Sequence, residues 1–147
     1  MAAPARYAEG TKVTVESSRG EITGILAKHG VQRMGWMGGP EGDDLMFELG
    51  GGQYRFRIER PTAETIRDRD ARHYSYPANV DWPAKAEAEW RRRWRANVLL
   101  LKAKLEFIDS GDTSLERELL PYRVLADGRT LEQAIVAGGL KMLAAGR

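Results

Sequence analysis

The sequence predicts an α+β domain, a small antiparallel β-meander packed with a short N-terminal helix, a long basic helix and shorter C-terminal helices. Three observations predict it. Leu45, Phe47 and Leu49, and then Tyr54, Phe56 and Ile58, alternate with polar neighbours at the period of a half-buried strand, and glycine clusters bound both runs. From Pro83 to Asp109 the apolar residues instead recur at helical spacing, over the longest stretch free of turn signals. Strands and helices fall in separate halves of the chain, as in a segregated architecture. A length of 147 residues suits one domain. Its parts are a β-α-β-β-β unit over 11–60, a long connection over 61–83 and a helical part over 84–147.

Taken in order, Lys12 to Val15 alternates as a short strand. Ser18 and Glu21 then have capping-box spacing, Ile22, Ile25, Leu26 and His29 share one helical face, and Gly30 suits a left-handed end, so a helix is expected over 19–29. Val31 to Met37, Asp44 to Leu49 and Gln53 to Glu59 form the meander. The glycine-rich stretch from Gly35 to Gly42 lacks the lysine-serine or lysine-threonine ending of a phosphate loop and leads into a strand, so it and Gly50-Gly51-Gly52 read as hairpin turns. Pro61 to Pro83 is polar and irregular, with a helical turn near Ala63 to Arg69; connections of this length are uncommon and invite a functional reading. Asp81 caps the long helix, with Trp82-Pro83 in its first turn, and Ser110-Gly111 stops it. Thr113 with Glu116 opens a short helix that ends at Pro121. Tyr122 to Leu125 is extended, Asp127-Gly128 turns, and Thr130 with Gln133 starts a last helix bearing Leu131, Ile135, Leu140 and Leu143.

Composition narrows the function classes. Hydrophobic residues make up 42% and charged residues 30%, the balance of a globular chain. With no cysteine there is no disulfide scaffold, thiolate metal site or thiol chemistry, which fits a reducing compartment. The first 15 residues lack the apolar core of a signal peptide, and the longest apolar run, Val98 to Leu101, is too short to cross a bilayer. The expectation is a cytoplasmic protein without membrane association.

The most informative segment is Trp90 to Lys104. It carries Arg91, Arg92, Arg93, Arg95, Lys102 and Lys104 and no acidic residue, in a chain whose net charge is only +2. Trp90, Trp94, Val98 or Asn97, Leu101, Leu105 and Ile108 form one helical stripe, so the tryptophans are expected in the core and not as base-stacking platforms. The arginines lie on the flanks. Glu87 and Glu89 upstream are their only near intrahelical carboxylates before Glu106. Two readings stand for them, a solvated flank whose stems cover the tryptophan edges, or a phosphate-binding surface. On the second reading Arg55 and Arg57, at strand spacing, and Arg67, Arg69 and Arg72 join Arg91, Arg92, Arg93, Arg95 and Lys102 on one face, with Tyr74 and Tyr76 for stacking.

Gly50-Gly51-Gly52-Gln53-Tyr54-Arg55-Phe56-Arg57-Ile58, Trp94-Arg95-Ala96 with Lys102-Ala103-Lys104-Leu105-Glu106, and Leu120-Pro121-Tyr122-Arg123-Val124-Leu125-Ala126-Asp127-Gly128-Arg129-Thr130 resemble a family of uncharacterised phage and prophage proteins. The resemblance covers most of the chain from Val13 onward. It implies a viral or mobile-element origin, hence replication, recombination or host takeover, and no catalytic residue.

Other chemistry finds little support. His29 and His73, the only histidines, lie outside metal-ligand spacing, and His29 suits a helix end. Glu41 with Asp43 and Asp44, or Asp68 with Asp70, are loose acidic groups of the kind that are usually solvated. No nucleophile, base and orienter share a pattern. The reading is therefore a non-enzymatic nucleic-acid-binding protein, DNA ahead of RNA, without cofactor or metal. The alternative is a protein-binding module directed at a host factor, with Trp36 and Met37 as exposed anchors. Leu99, Leu100 and Phe107, beside the main stripe, also point to homo-oligomers.

Overall fold

A computed structural model describes residues 4–72 and 76–139. Its order is α1 (Val15–Lys28), a three-stranded meander of β1 (Met34–Gly39), β2 (Gly42–Leu49) and β3 (Gly52–Glu59), α2 (Ala63–Ala71), α3 (Trp82–Ser110), α4 (Leu115–Leu119) and α5 (Leu131–Ala134). The class is α+β, and α1 and α3 pack on one face of the sheet.

The meander forms because its turns and pleat agree. Leu49 pairs with Gly52 across Gly50 and Gly51, whose φ values of 56° and 80° are those of a tight hairpin turn that matches strand twist. The register then sends Trp36, Leu45, Phe47, Tyr54, Phe56 and Ile58 inward and leaves Met37, Met46, Arg55 and Arg57 on the outer face. Inward rings stack in a row, Tyr54 on Phe47, Phe47 on Phe56, and Phe56 on Tyr122. Tyr122 comes from the turn after α4. Beyond it the chain is extended, as expected, and Val124 donates its amide to Gln53 O at 2.9 Å, covering part of the β3 edge.

The long helix buries the predicted stripe. Trp90, Trp94, Val98, Leu101 and Leu105 are all in the core, Trp94 with no exposure at all, against Ile22 and Leu26 of α1. Val98 occupies the stripe, whereas Asn97 stands beside it and donates to Arg93 O at 2.9 Å. Asp81 caps the first turn through Ala84 N at 3.0 Å, and Gly111 ends the helix at φ 82°.

Three local expectations are corrected. Lys12 to Val15 is not a strand: Thr14 is the α1 N-cap, accepting from Ser17 N at 3.1 Å, and Val15 is already helical. Four alternating residues had no partner strand, and a threonine oxygen placed to cap orphan amides is the stronger local signal. The sheet part is therefore α-β-β-β, and Ser18, fully buried, lies inside α1. The α4 cap is Ser114, bonded to Arg117 N, while Thr113 donates to Glu118. Trp36 is no surface anchor, because its ring packs 5.1 Å from that of Trp94. The final helix starts as predicted, with Thr130 and Gln133 capping each other, but Leu140 and Leu143 lie outside the described residues.

Candidate nucleic-acid interface

The basic half of α3 is organised around one carboxylate. Glu89 is 5% exposed and receives four guanidiniums. Arg92, one turn along, forks onto both oxygens at 2.9 and 3.0 Å, and Arg93 reaches Oε1 at 3.5 Å. Arg69 of α2 comes in at 3.4 Å and Arg6 of the N-terminal segment at 3.2 Å. Burial works to raise the Glu89 pKa, but the Arg92 hydrogen bond and the charges of Arg92, Arg6 and Arg69 outweigh it and hold the carboxyl below the ordinary glutamate range. Arg69 also binds its neighbour Asp70 at 2.8 Å. Burial works to raise the Asp70 pKa as well, and the Arg69 bond and charge again prevail and lower it.

These side chains line an open cleft of about 480 Å³ between the N-terminal segment, α2 and α3. Lys85, one turn before Glu89 on the same helical face, lines it too, with its ammonium 4.9 Å from the centre of the Tyr76 ring. Tyr76 packs edge-on to Trp82 at 5.2 Å, so the ring has the role of a wall of the cleft. The N-terminal segment is held across α3 by its own carbonyls: Arg92 donates to Tyr7 O at 3.5 Å and Arg91 to Thr11 O at 3.4 Å.

Of the predicted basic residues, Arg69, Arg92 and Arg93 come together here. Arg93 also donates to Glu59 O at 2.9 Å, tying the helix to the end of β3. Arg95 leaves the cluster for α1, where it binds Glu21 and approaches Ser18 Oγ at 3.4 Å. That hydrogen bond lowers the Glu21 pKa and raises that of Arg95. Lys102 is exposed on the same seam. Arg55 and Arg57 are elsewhere, on the outer sheet face in a separate cleft of about 590 Å³, where Arg55 is bonded to Gly128 O and Gln133 and Arg57 to Asp44 at 3.2 Å. Arg67 sits 3.8 Å from Asp68, and Arg72 caps α2 with its side chain in solvent and in no ion pair among the described residues. Tyr74 and His73 lie outside the described residues.

The remaining candidates have structural partners. Asp43 binds Arg19 at 3.0 Å, Asp44 binds Arg57, and Asp70 binds Arg69, so the acidic pairs are already neutralised by arginines. Among the described residues no three histidine or acidic side chains gather at metal-binding distance. His29 ends α1 with its ring buried between Asp109, to which Nδ1 is hydrogen-bonded, and Glu106, 3.5 Å from Nε2. No helix among the described residues is long and apolar enough to cross a membrane.

Sequence reasoning missed Arg6, Lys85 and Glu89 as parts of the site. The spacing of Lys85, Glu89 and Arg92 on one face was a usable signal. For Arg6, 83 residues from its partner, there was none. Comparison with protein families, with characterised proteins and with solved structures finds no match to this chain.

Proposed function

We propose that this is a non-enzymatic nucleic-acid-binding protein, DNA ahead of RNA, that holds phosphates through the basic face formed by the N-terminal segment, α2 and the first half of α3. One observation carries the reading. The Glu89 cluster sets more guanidinium than carboxylate around an open cleft, and a surplus of positive charge in a concave site concentrates anions. Arg72, at the end of α2, adds a cation exposed to solvent and in no ion pair among the described residues. A role in phage or mobile-element DNA replication or recombination rests on the resemblance of the three quoted strings.

The internal pairs of Arg92, Arg93 and Arg95 make these poor probes of binding, since replacing them disturbs Glu89 and Glu21 as well. Arg72→Gln with Lys85→Gln breaks no ion pair among the described residues. Single-stranded DNA, duplex DNA and RNA should bind the parent at roughly 50 mM salt and weaken steeply by 200 mM. The double variant should weaken binding across sequences and lower the salt slope by about 1 for each phosphate it no longer neutralises. No binding by the parent at low salt removes the reading.

A second reading, a protein-binding module that pairs with a host factor or with itself, is favoured by a different surface. Ala96, Leu99, Leu100, Ala103 and Phe107 form a stripe on α3 facing away from the core, and Phe107 is 57% exposed. Light scattering across a concentration series separates a monomer from an oligomer. Leu100→Glu with Phe107→Glu should abolish any self-association that this stripe drives, and an assembly that persists in that variant excludes the stripe as its interface.

A further inference from the structure

We propose that the Glu89 cleft is a phosphomonoester site, taking the dianionic phosphate of a mononucleotide or of a phosphorylated strand end in preference to a phosphodiester of the backbone. This deepens the nucleic-acid reading and rests on it for its biological setting, but its own warrant is local charge and shape. Arg6, Arg69, Lys85 and Arg92 line the cleft, and Arg93, outside the lining, adds a fifth cation 3.5 Å from Glu89. Against them stand the carboxylates of Glu9, Asp70 and Glu89. The surplus is two positive charges. A phosphomonoester carries about −1.5 to −2 at neutral pH, which this surplus neutralises, whereas a diester carries a single charge and leaves half of it unmet.

Donor geometry points the same way. Oε1 of Glu89 has donors from Arg6, Arg69, Arg92 and Arg93 within 3.5 Å, more than its two lone pairs accept well. Each guanidinium therefore keeps N–H groups directed elsewhere, and the Arg6 and Arg69 side chains are 42% and 36% exposed at the mouth. Lys85 makes no ion pair among the described residues. Two planar forks and one ammonium suit the three terminal oxygens of a monoester. The cleft volume of about 480 Å³ is that of a small-molecule pocket, enough for a nucleotide-sized group.

Glu89 in this arrangement is a positioning residue. It holds the guanidiniums in a fixed array before any ligand arrives and carries too little charge to satisfy them.

The test uses the full chain at low salt and two single-stranded oligonucleotides of one sequence, one with a 5′-phosphate and one with a 5′-hydroxyl. Adenosine 5′-monophosphate and inorganic phosphate serve as competitors. The expected result is binding of the phosphorylated strand at least about tenfold tighter, a ratio that one additional charge-assisted hydrogen bond produces. Lys85→Gln, which leaves the Glu89 cluster intact, should erase most of that ratio, with circular dichroism showing the fold retained. Equal affinity for both strands overturns the phosphomonoester site and leaves the nucleic-acid reading standing. Binding of the mononucleotide without either strand keeps the site and removes that reading, and binding of none of the probes removes both.

Discussion

Glu89 is a residue whose loss the structure should feel sharply. Breaking a buried ion pair by removing one partner costs about 3–5 kcal/mol, and here four guanidiniums would be left to repel one another. Glu89→Gln should therefore lower the melting temperature sharply, and added inorganic phosphate should raise it less in the variant than in the parent, whose guanidiniums are held in place. An equal phosphate effect in both proteins would show that Glu89 does not position the array. Trp94 makes a contrasting case. It has no exposure, and its ring meets Trp36, Trp90 and the Arg19 guanidinium, so Trp94→Ala should cost about 3–5 kcal/mol in thermal or denaturant unfolding. Lys102→Gln, at an exposed position in no ion pair among the described residues, should stay within about 0.5 kcal/mol of the parent. Burial of Trp94 was legible from its spacing. The engagement of its arginine neighbours was not, because a side chain's ion-pair partners have no period in the sequence.

At the scale of elements, α3 couples the core to the basic cleft. Its inner stripe sits on α1 and the sheet, and its first half presents Lys85, Glu89 and Arg92 to α2 and the N-terminal segment. Its start is set by one hydrogen bond that the Asp81 carboxylate accepts from Ala84 N, so Asp81→Ala should cost about 1 kcal/mol. That destabilisation falls on the turn that carries Lys85, and hydrogen exchange should show faster opening over residues 82–86 than over 94–105. Uniform acceleration along the helix would contradict a local cap. Elements with a sustained period were read correctly from sequence, and so was the mutual cap of Thr130 and Gln133, whereas Ser18 with Glu21, at the same spacing, lies inside α1 and the mutual cap of Thr62 and Thr65 was missed. Short signals misled. Lys12 to Val15 alternates over four residues and proved to be a helix entrance, and at Thr113 the cap shifted by one residue to Ser114.

For the whole molecule, the paired carboxylates set the response to acid. Glu21, Asp70 and Glu89 have lowered pKa values from ordinary ones of 4.5, 3.8 and 4.5. A carboxylate with a lower pKa in the fold than in the unfolded chain contributes stability that is fully present above the ordinary value. That contribution is lost as pH falls through the ordinary value toward the folded one. The melting temperature should therefore be flat from neutrality down to about pH 5 and decline below that. Glu89→Gln, which has already lost one such group, should decline less steeply. A parent whose stability rises below pH 4.5 would contradict these pairings. Part of the acid response comes from exposed pairs, so salt should soften it.

The sequence alone determined the α+β class, the meander, the long helix and its buried tryptophan stripe. Those features follow from alternation and helical spacing, and a period acts through neighbours two, three or four residues apart. Only the tertiary structure decided which arginines face solvent and which are consumed. Arg69 meets Glu89 across 20 residues, Arg95 meets Glu21 across 74 and Arg6 meets Glu89 across 83. An ion pair forms wherever the fold brings two charges within a few ångströms, and attraction at that range takes no account of separation along the chain. The predicted basic face was accordingly divided into a cleft on Glu89, a seam along α1 and an outer sheet surface.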